Sequence, residues 1–495
     1  MNYSDNTTPL HVLLKELIDR SNYTVYQLAK VCDINRSSLQ KAVSGQRPLS
    51  RDILDKLIPY LHLTVPEQKE LQKSILISEI GEISYQKNMY IRDLLSNAVS
   101  LSHSDPAQIH PAAIDPNSLH GNFITGSFQI INMICNLLTY EVNHRKEVYF
   151  YSISSFHNDF FPALYKQLRT DIYLSVEMKH IVPFSGISGN NDPASLYNLR
   201  TLSYLMPFVM SAGNDNLSFY YCYEEGIADK ISTVPFSHSI VMPEYVVLLS
   251  ADCENAVILR SDAVSYFKEQ FFTVLQASLP LLNSVDTASL LSVFIQLSSE
   301  TSRYYMLELQ PCLTAFVDEE IIQNVINKSL PAAQQQLLTT TLLTQCSNLK
   351  RISDFISVFS KRGLDDFVEK GIVYQVPLEL YQPPCLQDRI KMLQRLIDAN
   401  ETGAKKFYMI KDTHFHPVFE IYTYNSSVLF SLTDPLASDA SICILKENTI
   451  IDSFQAFLRH AVSHDLTYSI EETTSIFKEA VSRLKAQCCS TYLVI

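Results

Sequence analysis

Tryptophan is absent from this sequence, and glycine is scarce at 11 of 495 residues. Scarce glycine, beside 21 prolines and abundant Leu, Ile, Val and Phe, excludes collagen-like, low-complexity and disordered chains. It also leaves no phosphate cradle. Neither a Walker pattern nor Gly-x-Gly-x-x-Gly occurs, and there is no Gly-x-Ser-x-Gly elbow. The ten cysteines include no Cys-x-x-Cys spacing, which excludes zinc-ribbon and thioredoxin-type motifs. No stretch approaches the ~18 uninterrupted apolar residues of a membrane span. The opening MNYSDNTTPL has no basic run and no apolar core, so no secretory signal is expected. The expectation is a cytoplasmic chain with reduced thiols, no membrane contact, no cofactor and no metal.

What is present is a globular composition, 46% hydrophobic and 18% charged, with a formal net charge of −13. The length suits about three domains. Charge is uneven. Residues 10–64 hold eight Lys and Arg (Lys15, Arg20, Lys30, Arg36, Lys41, Arg47, Arg51, Lys56) against five acids (Glu16, Asp19, Asp33, Asp52, Asp55). The negative balance therefore sits in the remainder. A basic head on an acidic body fits contact with a polyanion at one end.

The head reads as short helices. Leu10, Val12, Leu13, Leu14 and Leu17 form an apolar stripe that ends near Ser21-Asn22. Thr24 suits the cap of TVYQLAKVC, and Asn35 the cap of RSSLQKAV, with Gly45 placed to end it. Ser50 caps a fourth helix, and Pro66 stands where a fifth would start. Leu28, Ala29, Cys32, Ile34, Leu39 and Ala42 are the residues that must interlock. The other side of the third helix shows Arg36, Ser37, Gln40 and Lys41, types able to read base edges.

On these residues, Thr24 to Leu61 resembles the Cro/phage-repressor-type (XRE-like) helix-turn-helix family. Leu28-Ala29, Ile34 to Ser37, Leu39 and Gly45 carry the resemblance. Two positions depart from the family pattern. Asp33 stands where the turn usually has Gly, a position that wants φ > 0. Val25 stands where Gln often contacts a phosphate. The resemblance implies base contacts from Arg36, Ser37, Gln40 and Lys41, and phosphate contacts from Asn35, Ser38 and Arg47.

Beyond the head the chain organises as follows. Residues 1–64 are the helix-turn-helix domain, 65–101 connecting helices, and 102–121 a Pro-rich linker. Residues 122–282 are a first α/β unit, and 283–495 a second with extra helices. In the first, VYFYSI, LSVEMKHIVPF (ended by Pro183), SFYYCYE, SIVM, YVVLLS and AVILR read as strands. In the second, YYMLELQ, GIVYQVPLEL, KKFYMIK, VFEIYTY, SVLFSLT and SICILK do, with helices filling 334–369. Tyr245–Phe272 and Ser427–Phe457 share one outline: strand, gap, strand, helix closing on Phe. Two related α/β units are inferred. The fold class is thus multidomain, an all-α helix-turn-helix head before an α/β (α+β) body. The duplicated outline resembles the two-lobed phospholipase-D-like architecture, which also occurs in a catalytically dead regulatory form. That family's His-x-Lys-x4-Asp is absent, so phosphodiesterase activity is disfavoured.

Weaker signals remain. Phe184 to Gly189 is a glycine-bearing turn after a strand, and His414 and His416 have strand spacing for one face. Glu177, Lys179 and Lys411-Asp412 are single charges beside strands. Phe219, Tyr220, Tyr221 and Tyr223 read as core and sheet face before ligand platform. The functional expectation is a sequence-specific DNA-binding transcriptional regulator and not an enzyme. Its body senses a small-molecule or peptide effector or mediates oligomerisation, and the chain acts as a homodimer on double-stranded DNA. The alternatives are an enzyme with an α/β catalytic body localised by the helical head, or a protein-binding adaptor.

Overall fold

The computed structural model describes residues 8–47, 49–101, 123–156, 158–168, 175–186, 194–209, 216–224, 235–260, 262–285, 289–374, 376, 378–411, 419–433, 440–463 and 466–491. The chain divides into two units, Met1–Met89 and Tyr90–Ile495. The expected linker, 102–121, lies outside the described residues.

The first unit is helical: α1 (Leu10–Arg20), α2 (Val25–Val31), α3 (Arg36–Val43), α4 (Arg51–Leu57), α5 (Val65–Ile80) and the start of α6 (Glu82–Leu101). Local chemistry sets each boundary. Thr24 and Gln27 form a reciprocal capping box on α2. Asn35 Oδ1 accepts from the N–H groups of Ser37 and Ser38, 2.9 and 3.2 Å, starting α3. Between them Asp33 takes φ +53°, and the Ile34 N–H donates back to Ala29 O at 2.8 Å, so the chain reverses in four residues. Gly81, at φ +83°, separates α5 from α6. Leu14, Leu28, Leu39, Leu57 and Leu71 are buried in one core. Each such side chain contributes about 1.5–3 kcal/mol over an exposed one.

The second unit holds two sheets. Its first lobe contains β1 (Phe123–Thr125), α7 (Ser127–His144), β2 (Tyr149–Ile153), α8 (Phe160–Gln167), β3 (Glu177–Ser185), α9 (Ala194–Val209), β4 (Leu217–Glu224), β5 (His238–Val241), β6 (Tyr245–Leu249), β7 (Asn255–Arg260), α10 (Asp262–Gln276) and β8 (Leu279–Pro280). The second contains β9 (Leu282–Val285), α11 (Leu290–Ser299), β10 (Arg303–Glu308), α12 (Glu319–Val325), α13 (Ala332–Arg351), β11 (Asp354–Phe359), α14 (Lys361–Lys370), α15 (Leu386–Thr402), β12 (Lys406–Met409), β13 (Phe419–Thr423), β14 (Val428–Thr433), β15 (Ala440–Leu445), α16 (Asn448–Ser463) and α17 (Ile470–Thr491).

The sheets repeat one topology. The first runs β1-β7-β6-β5-β2-β3-β4-β8, and the second, read from β9, runs β9-β15-β14-β13-β10-β11-β12. In each, the fifth to seventh strands form one parallel run, β2·β3·β4 and β10·β11·β12, and the remaining pairs are antiparallel. A side-chain device repeats with it. Tyr151 OH donates to Glu177 and Tyr305 OH to Asp354, each at 2.5 Å, from equivalent registers. The paired outlines Tyr245–Phe272 and Ser427–Phe457 fall on the equivalent runs β6-β7-α10 and β14-β15-α16.

Three sequence expectations differ from the structure. DFISVF (354–359) is strand β11, not part of a helical stretch; its buried residues make it the middle of the parallel run. The described residues of GIVYQVPLEL form no strand; Gln310 engages their backbone, its side chain donating to Ile372 O and accepting from the Tyr374 N–H. Pro183 does not end β3, which continues to Ser185. Pro183 shares the parity of Ile181, whose backbone faces β2. β2 ends opposite Ile181, so the missing N–H falls where no ladder partner is needed.

Packing distinguishes the lobes. One core joins the α7–α9 face of the first sheet to the α16 face of the second. A separate core fills the other face of the second sheet under α11–α15 and α17. A smaller one lies between the first sheet and α10.

Candidate functional site

In open α/β sheets, the carboxyl ends of parallel strands where the order reverses form the natural crevice. In the first lobe that place is the end of β2, between parallel β3 and antiparallel β5. Ser154 is the first residue after β2. His180 lies on β3, on the core face it shares with Met178 and Val182. Tyr165 reaches in from α8.

These three form a line of hydrogen bonds. Ser154 Oγ is 2.7 Å from His180 Nε2, and Tyr165 OH is 2.7 Å from His180 Nδ1. The Ser154 carbonyl oxygen is also 3.1 Å from Nε2. Phe156, Phe161 and Phe219 surround the imidazole, with the Phe156 ring centroid 4.7 Å away. Ser154 is 1% exposed and His180 fully buried. Burial holds the imidazole pKa down, to about 3, so the ring is neutral. It likewise pushes the Tyr165 phenol up. A neutral ring has one donor and one acceptor nitrogen. With the proton on Nδ1, the ring donates to Tyr165 and accepts from Ser154, the order of a hydroxyl nucleophile, base and orienting group. With the proton on Nε2, the Ser154 carbonyl takes it and the line is a core network.

The second lobe places different chemistry at the same positions. The registers put Glu308 at the place of Ser154, Ser357 at that of His180, and Glu420 at that of His238. Ser357 Oγ donates to Glu308 Oε1 at 3.0 Å. Glu420 Oε1 accepts the Leu309 N–H at 3.2 Å. Here a carboxylate and a hydroxyl stand where the first lobe has a hydroxyl and an imidazole. Behind them α14 approaches closely: a Cβ on Gly363 would lie 2.0 Å from Leu309 O.

The two lobes are tied at the carboxyl end of β4. Tyr223 OH donates to Glu447 Oε1 at 2.6 Å. Glu447, fully buried, also accepts from the Thr449 hydroxyl at 2.6 Å and the Ile450 N–H at 2.9 Å, capping α16. Asn198 links Thr449 to the backbone of Ser185.

The residues singled out from sequence are placed as follows. Arg36, Ser37, Gln40, Lys41 and Arg47 are exposed, and Ser38 is half-buried. Arg36 lies over the Tyr26 ring, 5.5 Å from its centroid, and the Asn35 side chain caps α3. Glu177 pairs with Lys179 at 2.6 Å. Phe219 and Tyr221 are core, while Tyr223 is exposed. Ile187 to Gly189, Asp412, His414 and His416 lie outside the described residues. Among the described residues no group of three or more His, Cys, Asp or Glu could hold a metal ion, and no helix is long and apolar enough to cross a membrane. Ser154 and Tyr165 were missed by sequence reasoning. The available signal was His180 itself, whose parity on LSVEMKHIVPF matches two buried apolar residues.

No family model and no curated protein matches this chain. Solved structures do. The phosphatidylserine synthase of Haemophilus influenzae Rd KW20 is 10% identical, covering 81% of this chain and 99% of its own, with a TM-score of 0.25. The polyphosphate kinase of Porphyromonas gingivalis is 11% identical, covering 72% of this chain and 54% of its own, with a TM-score of 0.20. Likenesses this loose transfer no residue and no substrate. The sequence reading expected a DNA-binding transcriptional regulator and no enzyme; the similar structures are described as a synthase and a kinase instead, and that expectation is withdrawn.

Proposed function

We propose that the chain is an enzyme whose duplicated α/β body carries the chemistry and whose helical head localises it. The observation that supports this is the Ser154–His180–Tyr165 line at the strand-order reversal. The reaction class is acyl transfer to water. Ser154 Oγ attacks an ester carbonyl, and its proton passes to His180 Nε2. The leaving alcohol takes that proton, and water then releases the acyl group from Ser154. Tyr165, accepting from Nδ1–H, positions the ring. Because Ser154 and His180 are buried, substrate reaches them only on local opening, and the lowered imidazole pKa weakens the base. Turnover is therefore slow. The exposed basic face of α3, with Arg36 and Lys41, is assigned to localisation on a polyanionic surface.

The test is hydrolysis of p-nitrophenyl acetate and butyrate by the full chain, beside bis(p-nitrophenyl) phosphate. Ester turnover that falls by about 10²-fold or more in Ser154→Ala and in His180→Gln is the expected result. Turnover equal in all three proteins, or faster on the phosphodiester than on the esters, overturns the assignment.

A further inference from the structure

The second lobe contains a cavity of about 610 Å³ that the polar line of the first lobe does not touch. It arises from an asymmetry between the lobes. Among the described residues, the crossover from β2 to β3 carries α8 alone, whereas that from β10 to β11 carries α12 and α13. The cavity is walled by these two helices, by α11 and by the chain after α14. Phe294, Ile321, Leu338, Leu342, Val373 and Met392 are among its lining. Leu313 and Thr314 also line it, five and six residues past the end of β10, so it sits by the carboxyl end of the parallel strands.

The polar groups on its wall are committed elsewhere. Ser292 Oγ donates to Ser289 O at 2.6 Å, and Thr341 Oγ1 to Leu337 O at 2.7 Å. Tyr381 OH accepts the Val373 N–H at 2.7 Å. Among the described residues, Glu379, exposed, is the one charged group lining the space, and no Lys, Arg or His lines it. The size is that of a small-molecule site.

We infer that this cavity binds an uncharged apolar small molecule, held by its hydrocarbon surface rather than by a charged headgroup. An anionic amphiphile would bury its carboxylate with no cation to meet it. A neutral one of the same chain length loses only water.

The absence of tryptophan makes the test specific. Ser292→Trp, at an exposed position on the cavity rim, creates a single donor for energy transfer to the neutral dye N-phenyl-1-naphthylamine. Saturable transfer from that tryptophan is expected in the full chain. Adding Thr341→Trp to the unsubstituted protein fills the cavity and should abolish the saturable rise in dye fluorescence. Leu338→Glu, at a half-exposed wall position, should do the same should the larger residue prevent folding. Decanol should displace the dye at a concentration at least about tenfold lower than decanoate. No saturable signal overturns the inference. So does unchanged binding in a folded Thr341→Trp or Leu338→Glu protein, or decanoate competing as well as decanol.

Discussion

Neutral, buried His180 makes the stability of the body depend on pH in a calculable way. An unfolded chain binds a proton at this imidazole near its ordinary value of ~6.5. The folded chain does so only near about 3. The proton therefore favours the unfolded state, and stability is full above pH 6.5 and falls as pH drops towards 3. Each unit in that window is ~1.4 kcal/mol, so between pH 7 and pH 5 the loss from this one group is about 2 kcal/mol. Other groups titrate too, and a non-titrating variant removes them from the comparison. Urea unfolding of the wild type and of His180→Gln, followed by far-UV circular dichroism at pH 7 and pH 5, measures the difference. Whatever the variant costs at pH 7, its stability should fall about 2 kcal/mol less than the wild type's on going to pH 5. Equal falls in both proteins would mean that His180 protonates freely in the folded chain, and the buried line would be refuted.

Other substitutions probe the frame. Gly363→Ala drives a Cβ against Leu309 O and should destabilise the body by about 1–3 kcal/mol, read as a lower urea midpoint. Glu447→Ala removes the α16 cap and the tie to Tyr223 and should cost about 2–3 kcal/mol, with Glu447→Gln recovering part because an acceptor remains. Asn35→Ala should cost the head about 1 kcal/mol, seen in its thermal transition.

Much of the head was legible because its boundaries are local. Thr24, Asn35 and Pro66 act within three residues of themselves, and the φ > 0 expected at Asp33 is a property of one turn. The body's repeat was legible where strand, strand and helix follow one another, as in β6-β7-α10. It failed where partners are distant. DFISVF is six residues between two helices, and only pairing with β10 and β12 makes it a strand. GIVYQVPLEL has strand-like composition, but the Gln310 and Tyr381 side chains take the backbone groups of Ile372, Val373 and Tyr374 that a strand neighbour would otherwise pair. The Ser154–His180–Tyr165 line joins a strand end, a strand and a helix up to 26 residues apart, with no spacing rule to expose it. The basic face of α3 is exposed as expected, yet exposure names no partner, and the regulator reading leaned on it too far.

The central claim is that Ser154 is a nucleophile poised by His180. Incubating the full chain with a fluorophosphonate and mapping the modified peptide by mass spectrometry tests it most directly. The account predicts an adduct on Ser154 that is lost in His180→Gln. An unmodified Ser154 under conditions where the ester is turned over, or labelling indifferent to His180, would contradict it.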